Sequence, residues 1–374
     1  MKITKREFLL SSSAAAVVLA GGFGALAKEK TMAKPTVDKA SLVIRKADSL
    51  SEKDVLEWLK AMRGRPYVKQ SGFDVTSVFK VKSGGEAYYV GGANVENIDL
   101  VSGTCAEEGA IAAAVGALGQ EADIVEGWVM GAPRGATTSD LAVYPCGECR
   151  QRIAQYTAPT APIHIVGLDG EMKNTKTRAE LIPNAFSFRD LSHNDVAAAT
   201  ALASEARQLI REVRTPLGIN EIYEWMGRLQ PDVRVSGVKE SVVLRLENGA
   251  YVAGVKIENA AYPSSTMAMQ SAVAVMNLAF GPQKIAEVWN YGAYTIPEKG
   301  QETAYIPLTG SSLQILAQFA DGTVPVNTMN SQGNVKTVSL QELLSTLRNF
   351  ETPFSNEGGV SPYLGNPQAR TPIG

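Results

Sequence analysis

The chain repeats itself, and that constrains its fold more than any other feature. Aligned without a gap at a constant offset of 162, residues 90–119 and 252–281 are identical at eleven of thirty positions. The matches run from Val90, Gly92, Glu96 and Asn97 through Ser102, Thr104 and four alanines to Gly119. Pro145 and Pro307 keep the same offset, as do Glu180-Leu181 and Glu342-Leu343. A period this long points to two copies of one domain, not to a solenoid of short repeats. A chain of 374 residues has room for both. The expected division is an export leader over 1–27, a linker and N-terminal helix over 28–65, a first copy over 66–190, a second over 216–345 and a Gly/Pro-rich tail over 346–374. The copies are joined near residues 173–215.

The pattern within the first copy alternates strands with helices. Ser51-Glu52-Lys53-Asp54 reads as a capping box, followed at helical spacing by Val55, Leu56, Leu59 and Met62. That helix ends near Gly64-Arg65-Pro66 and is expected to pack without carrying chemistry. Strand-like runs from Val75 to Val81 and from Ala87 to Gly91 flank Ser83-Gly84-Gly85, which is a hairpin signal. An alanine-rich helix over residues 104–118, a strand over 123–130, a helix after Pro145 and a strand over 163–168 follow. The order predicts an α/β fold, a mixed sheet with helices packed on it, duplicated within the chain.

Charge and cysteine content narrow the function. A formal net charge of −2 gives no basic field to hold a phosphate backbone, which argues against tight nucleic-acid binding. Three cysteines, an odd and small number, argue against a disulfide framework, and two histidines leave little room for an imidazole metal site. His164 is expected in a buried strand and His193 in a loop, neither as a ligand. The start of the chain reads as an export signal: Lys2, Lys5 and Arg6, an apolar run from Phe8 to Ala20, then Ala25-Leu26-Ala27 before Lys28. The apolar run is too short for a permanent span. Thr4-Lys5-Arg6-Glu7-Phe8-Leu9-Leu10 resembles a twin-arginine motif with Lys5 in the first arginine place. Export in the folded, metal-loaded state would keep the thiols from being oxidised to a disulfide. A general secretory signal, an uncleaved anchor and a cytoplasmic location remain open.

All three cysteines lie at predicted helix starts. Cys105-Ala106-Glu107 opens one helix, and Pro145-Cys146-Gly147-Glu148-Cys149-Arg150 opens another. Helix N-termini favour thiolates. Three protein ligands leave a tetrahedral ion one position for water, the mark of a catalytic zinc. Glu107, two residues after a ligand, is placed to move protons without binding the metal. In the second copy Met267 and Met269 replace Cys105 and Glu107, and Pro307-Leu308-Thr309-Gly310-Ser311-Ser312 replaces the segment from Pro145 to Arg150, so one zinc per chain is expected.

These motifs, with Gln151 after Arg150, resemble those of the cytidine deaminase family, and more its nucleoside branch than its base or polynucleotide branches. The resemblance covers most of residues 66–190 and, more loosely, the second copy. It implies a three-layer α-β-α sandwich and zinc-dependent deamination of cytidine or deoxycytidine. Gly92-Ala93-Asn94-Val95-Glu96-Asn97 resembles the family's ribose-binding segment, which implies that Asn94 and Glu96 grip the sugar. Ser71-Gly72-Phe73-Asp74-Val75 resembles the segment whose Phe stacks near the base, so Phe73 is carried over. The Ala106 N–H and the Tyr144 carbonyl are implied to contact the pyrimidine. A working copy followed by a broken one is similar to the two-domain, homodimeric members. In these an aromatic near the position of Tyr262 closes the neighbouring pocket.

The chain departs from the three-cysteine members at Glu108, where they usually carry an Arg that offsets thiolate charge. Either Arg150 or the helix dipoles compensate, or the water is less acidic and turnover slower. A structural role remains open for Asn94 and Glu96, because Glu258 keeps the glutamate in the broken copy, where Lys256 replaces Asn94. Deamination of another aminopyrimidine nucleoside or nucleoside antibiotic, and weak nucleoside binding without turnover, are the alternative functions.

Overall fold

Two six-stranded mixed sheets of the same strand order underlie the molecule. The computed structural model describes residues 39–119, 122–187, 206–229, 233, 235–294 and 303–348. The leader, most of the 173–215 joint beyond Ser187, His193 and the end of the tail lie outside the described residues.

The first sheet runs β1-β3-β2-β4-β5-β6 and the second β7-β9-β8-β10-β11-β12. In chain order the first copy contains α1 (Lys39–Val43), β1 (Ile44–Lys46), α2 (Glu52–Met62), β2 (Phe73–Ser83), β3 (Glu86–Ala93), α3 (Ala106–Leu118), β4 (Asp123–Pro133), α4 (Gly147–Tyr156), β5 (Pro162–Val166), β6 (Met172–Thr177) and α5 (Arg178–Leu181). The second contains β7 (Ile210–Glu212), α6 (Ile219–Leu229), β8 (Val238–Leu246), β9 (Ala250–Val255), α7 (Ala268–Phe280), β10 (Ile285–Tyr294), α8 (Gly310–Phe319), β11 (Pro325–Met329), β12 (Val335–Ser339) and α9 (Leu340–Arg348). Among the described residues β4–β5 and β10–β11 are the strand pairs that run in parallel, with α4 and α8 respectively lying between their members in the chain.

Three segments differ from the expected division. Residues 44–46, placed by the sequence in a linker, pair with β3, and Ile210–Glu212, placed in the joint, pair with β9. Both strands are three residues long, too short for any periodicity to reveal them. Met172–Thr177 likewise closes the first sheet rather than starting a linker.

The three-layer arrangement follows from side-chain alternation along β3. A Cβ added at Gly91 would meet Trp58 and Met62 of α2, and one at Gly92 would meet Ala106 and Ala110 of α3. Helices therefore cover both faces. Gly254 repeats the second contact against Ala268 and Ala272 of α7. These glycines let each helix backbone lie on the sheet: at Gly92 the added Cβ would sit 2.0 Å from the Ala106 carbonyl oxygen. Thr76 Oγ1 on β2 donates to the Leu59 carbonyl of α2, as Ser241 Oγ on β8 does to Met226 of α6.

The repetition extends to polar detail. The Arg45 guanidinium lies 4.0 Å from the Trp58 ring, and that of Arg211 lies 4.3 Å from the Trp225 ring. Tyr89 and Tyr251 hydroxyls accept from the N–H groups of Leu50 and Leu217. His164 bridges Glu126 and Thr175 at 3.0 and 2.9 Å, while Asn327 bridges Glu287 and Thr337 at 3.1 and 2.7 Å. His164 is thus a link across three strands.

Alpha helices α3 and α7 pack on each other and on both sheets. Every residue of α3 is buried, so no polar face is needed, and none is encoded. The apolar core is continuous across both copies.

Candidate active site

Two helix starts meet at one point. Cys105 is the N-cap of α3 and Cys146 the N-cap of α4, with Cys149 in the first turn of α4. The three sulfur atoms all lie within 4.8 Å of one another, and Cys105 and Cys146 are 4.0 Å apart. Tetrahedral zinc–thiolate bonds of about 2.3 Å place sulfurs about 3.8 Å apart. The trio therefore fits such an ion with little movement. The donor set also fits, since soft thiolates at a closed tetrahedral corner suit zinc. The Cys149 N–H donates to Cys146 Sγ at 3.5 Å. Contacts from the Cys105 and Cys149 thiols, with that N–H, hold the Cys146 thiol well below its ordinary value.

Glu107 follows in the first turn of α3 with 3% of its surface exposed. Burial pushes its carboxyl up to about 7, opposed by hydrogen bonds from its own N–H and the Cys149 thiol. It is hydrogen-bonded to the Cys149 thiol and lies outside the trio.

Glu108 answers the question raised by its charge. Its side chain caps the Cys105 N–H at 3.3 Å and accepts from Thr266 Oγ1 at 2.8 Å. Arg152, one turn into α4, lies 3.2 Å from the same carboxylate. The cation paired with Glu108 is Arg152, not Arg150, and it also meets Glu148 at 3.1 Å. Arg150 instead donates to the carbonyls of Pro145 and Leu181. Sequence reading missed Arg152 because its partner is 44 positions away on another helix; a basic residue three places after Cys149 was the one available signal.

The other carried-over residues have structural contacts of their own. Asn94 accepts from the Val75 N–H and donates to the Phe73 carbonyl, at 2.9 and 3.0 Å. Glu96 accepts from the N–H groups of Gln70 and Ser71. The Phe73 ring and Val143, just before Tyr144, both border Gly131. Tyr144 bonds through its hydroxyl to Asn174 of β6. Ala106 is fully buried under Gly92. Tyr262 sits in the second copy with its ring 5.6 Å from Lys256 Nζ.

The second copy keeps the scaffold and replaces the chemistry. Met267 caps α7 where Cys105 caps α3. At the other helix the structure moves the expected register by one residue. Thr309 is the N-cap of α8, and its Oγ1 accepts from the Ser312 N–H at 3.1 Å. Thr309 and Ser312 thus occupy the places of Cys146 and Cys149, and Leu308 rather than Pro307 the place of Pro145. One residue inserted in the preceding loop is invisible to an ungapped offset. Lys256, in the place of Asn94, is fully buried and bonded to Ser236 Oγ at 2.7 Å and Glu258 at 3.1 Å.

The chain is 34% identical over 142 residues to the cytidine deaminase of Sporosarcina psychrophila, a match covering 38% of this chain and 95% of that protein. It is 29% identical over 199 residues to that of Shewanella amazonensis, covering 52% of this chain and 58% of the relative. Among solved structures, the cytidine deaminase of Burkholderia pseudomallei aligns at 25% identity and a TM-score of 0.30, covering 37% of this chain and 100% of the other. No family model matches the chain. With a match that spans nearly the whole of a relative and a thiol trio beside a buried carboxyl, the chain belongs to the cytidine deaminase family.

Proposed function

We propose that the first copy hydrolyses cytidine and deoxycytidine to uridine and deoxyuridine with release of ammonia, and that each chain carries one zinc on Cys105, Cys146 and Cys149. The observation that carries this reading is the convergence of three sulfurs within 4.8 Å beside the buried Glu107. When bound, zinc supplies the Lewis acidity that lets water act as a nucleophile near neutral pH. Glu107 takes the proton from that water as its oxygen bonds to C4 of the ring. It gives that proton to the ring nitrogen, then takes the remaining hydroxyl proton of the adduct and delivers it to the departing amine, so the C4–N bond breaks, ammonia leaves and the carbonyl forms. A carboxyl raised to about 7 can both accept and return a proton at working pH.

Substrate contacts are assigned to Asn94, Glu96, Phe73, the Ala106 N–H and the Tyr144 carbonyl. Asn94 and Glu96 support this by anchoring residues 70–75, the loop and strand start that carry Phe73. The two copies are assigned to residues 66–190 and 216–345, their sheets extended by the short preceding strands β1 and β7, the second copy without a metal site. Tyr262 is assigned to closing a pocket in a homodimer, which sedimentation at micromolar concentration tests; a monomer with full activity refutes it. Residues 1–27 are assigned to export. Among the described residues no helix is long and apolar enough to cross a membrane. A reporter fused to residues 1–35 that stays in the cytoplasm refutes export.

Ammonia release across a panel of nucleosides, measured with zinc content, tests the activity. Cytidine and deoxycytidine should turn over with about one zinc per chain. Glu107→Gln should keep the zinc and lose about two to four decades of kcat. Near-normal turnover in that variant refutes the proton-carrier role.

A further inference from the structure

The two metal-bearing helices have no covalent tie near their N-termini. A buried polar clasp joins them, and the second copy holds it. Glu108 comes from α3, one residue after Glu107, and is 1% exposed. Arg152 comes from α4, three residues after Cys149, and is 7% exposed. Their ion pair at 3.2 Å spans the helices directly behind the thiols. Both members continue into the second copy: Thr266 Oγ1 donates to Glu108 at 2.8 Å, and Arg152 Nε donates to the Ser264 carbonyl at 2.8 Å. Thr266 is itself fixed, since it exchanges two backbone hydrogen bonds with Ile257.

The second copy supplies an internal comparison. Gln270 stands where Glu108 stands. Its Oε1 caps the Met267 N–H at 2.8 Å, as Glu108 caps Cys105. Its Nε2 reaches back to the Ser102 and Gly103 carbonyls at 3.5 and 3.3 Å. Ser102 is the counterpart of Ser264. One neutral amide therefore caps the helix and joins the copies where no thiols need holding. At the thiol-bearing end the same tasks fall to two opposite charges, out of water and at a desolvation cost that a packing role does not require. A pair of charges does what an amide cannot: it also ties α3 to α4, and it sets a cation beside helices whose first turns carry several anionic groups.

We propose that Glu108 and Arg152 are positioning residues that hold the thiols of α3 and α4 at metal-binding distance, anchored by Thr266 and the Ser264 carbonyl, so that the second copy supports the metal site of its own chain. The proposal rests on the thiol trio being the metal site. It gives the second copy work within one chain, separate from any contact Tyr262 makes with a partner.

The test measures metal affinity in the full-length chain by zinc competition with a chromophoric chelator, and thiolate-to-metal charge-transfer absorption after cadmium substitution. Thr266→Val keeps the shape and removes one anchor; it should weaken zinc by about 10-fold, the low end for groups that orient ligands. Thr266→Ser, which restores the hydroxyl, should recover the affinity. Arg152→Met alone leaves a buried carboxylate unpaired and can cost the fold. The double variant Glu108→Gln/Arg152→Met avoids this, because the second copy packs with Gln270 and an apolar residue, Ile315, at these places. It should keep native far-ultraviolet circular dichroism, lose about 10- to 100-fold in zinc affinity and shift the charge-transfer band. Wild-type affinity and an unshifted band in both Thr266→Val and the double variant overturn the proposal. Cys149→Ala separates the two claims: if it leaves zinc affinity unchanged, the metal-site reading itself fails.

Discussion

A carboxyl group taken out of water without a partner destabilises the fold whenever it ionises, and Glu240 is such a group. It is fully buried on β8, and among the described residues neither of its carboxylate oxygens has a hydrogen-bond partner. Burial raises it from 4.5 to about 7, with the Lys256 charge opposing. The folded chain therefore holds this proton over a range in which the unfolded chain has released it. Stability is fullest below pH 4.5, falls as pH rises to about 7, and is level above that as far as this group is concerned. The loss over that window is about 3 kcal/mol. Glu240→Gln removes the titration, so urea denaturation between pH 5 and 8 should show a flatter pH dependence and a higher midpoint at pH 8. An unchanged pH dependence shows that Glu240 is not the responsible group. At this scale the sequence reveals residues whose chemistry is local: Cys105, Glu107, Cys146 and Cys149 announce themselves by spacing within one helix turn. It is silent on Arg152, Thr266 and Glu240, whose significance comes from what the fold brings to them.

Elements repeat more faithfully than residues because the sheet needs a shape and a hydrogen-bond count, not a particular side chain. The bridge from β4 to β5 to β6 shows this: His164 in one copy and Asn327 in the other each meet a glutamate on one side and a threonine on the other. Either side chain offers two polar atoms in the plane of its ring or amide. His164→Asn should therefore be nearly neutral, costing less than about 1 kcal/mol by thermal or urea unfolding. His164→Ala leaves Glu126 and Thr175 without the bridge and should cost about 1–3 kcal/mol. Equal losses for the two variants refute the equivalence. Long elements were legible for related reasons: the capping box at Ser51 with its apolar spacing gave α2, and the glycine turn gave the β2–β3 hairpin. The short edge strands were not, since three residues carry no period, and the one-residue shift at α8 required seeing which residue caps the helix.

The whole molecule is held by the helix that starts at Cys105. An ordinary surface helix turns a polar face to water, but α3 has none: all of its residues from Ala106 to Leu118 are buried. One side of it lies on β3 and β2, and the other meets α7 and β9 of the second copy. The small side chains of that surface permit the close approach: Gly109 lies against Ala274, and Gly116 against Leu209 and Val255. Removing the second copy would expose a continuous apolar strip on the element that carries Cys105 and Glu107, and would remove the anchors of Glu108 and Arg152. Such a surface favours association over a single folded state. A chain ending at Ser187 should therefore retain little zinc and little activity, and should sediment as aggregates. Adding the separately expressed segment 206–348 during refolding should restore a share of both, because the surfaces it covers are noncovalent. A soluble, zinc-loaded and fully active fragment ending at Ser187 would show that the copies stabilise themselves independently and that the second is dispensable. The opposite outcome explains why a copy without metal ligands keeps the whole helix and strand pattern: what it has lost is the chemistry, and the surface that holds its neighbour's chemistry in place remains.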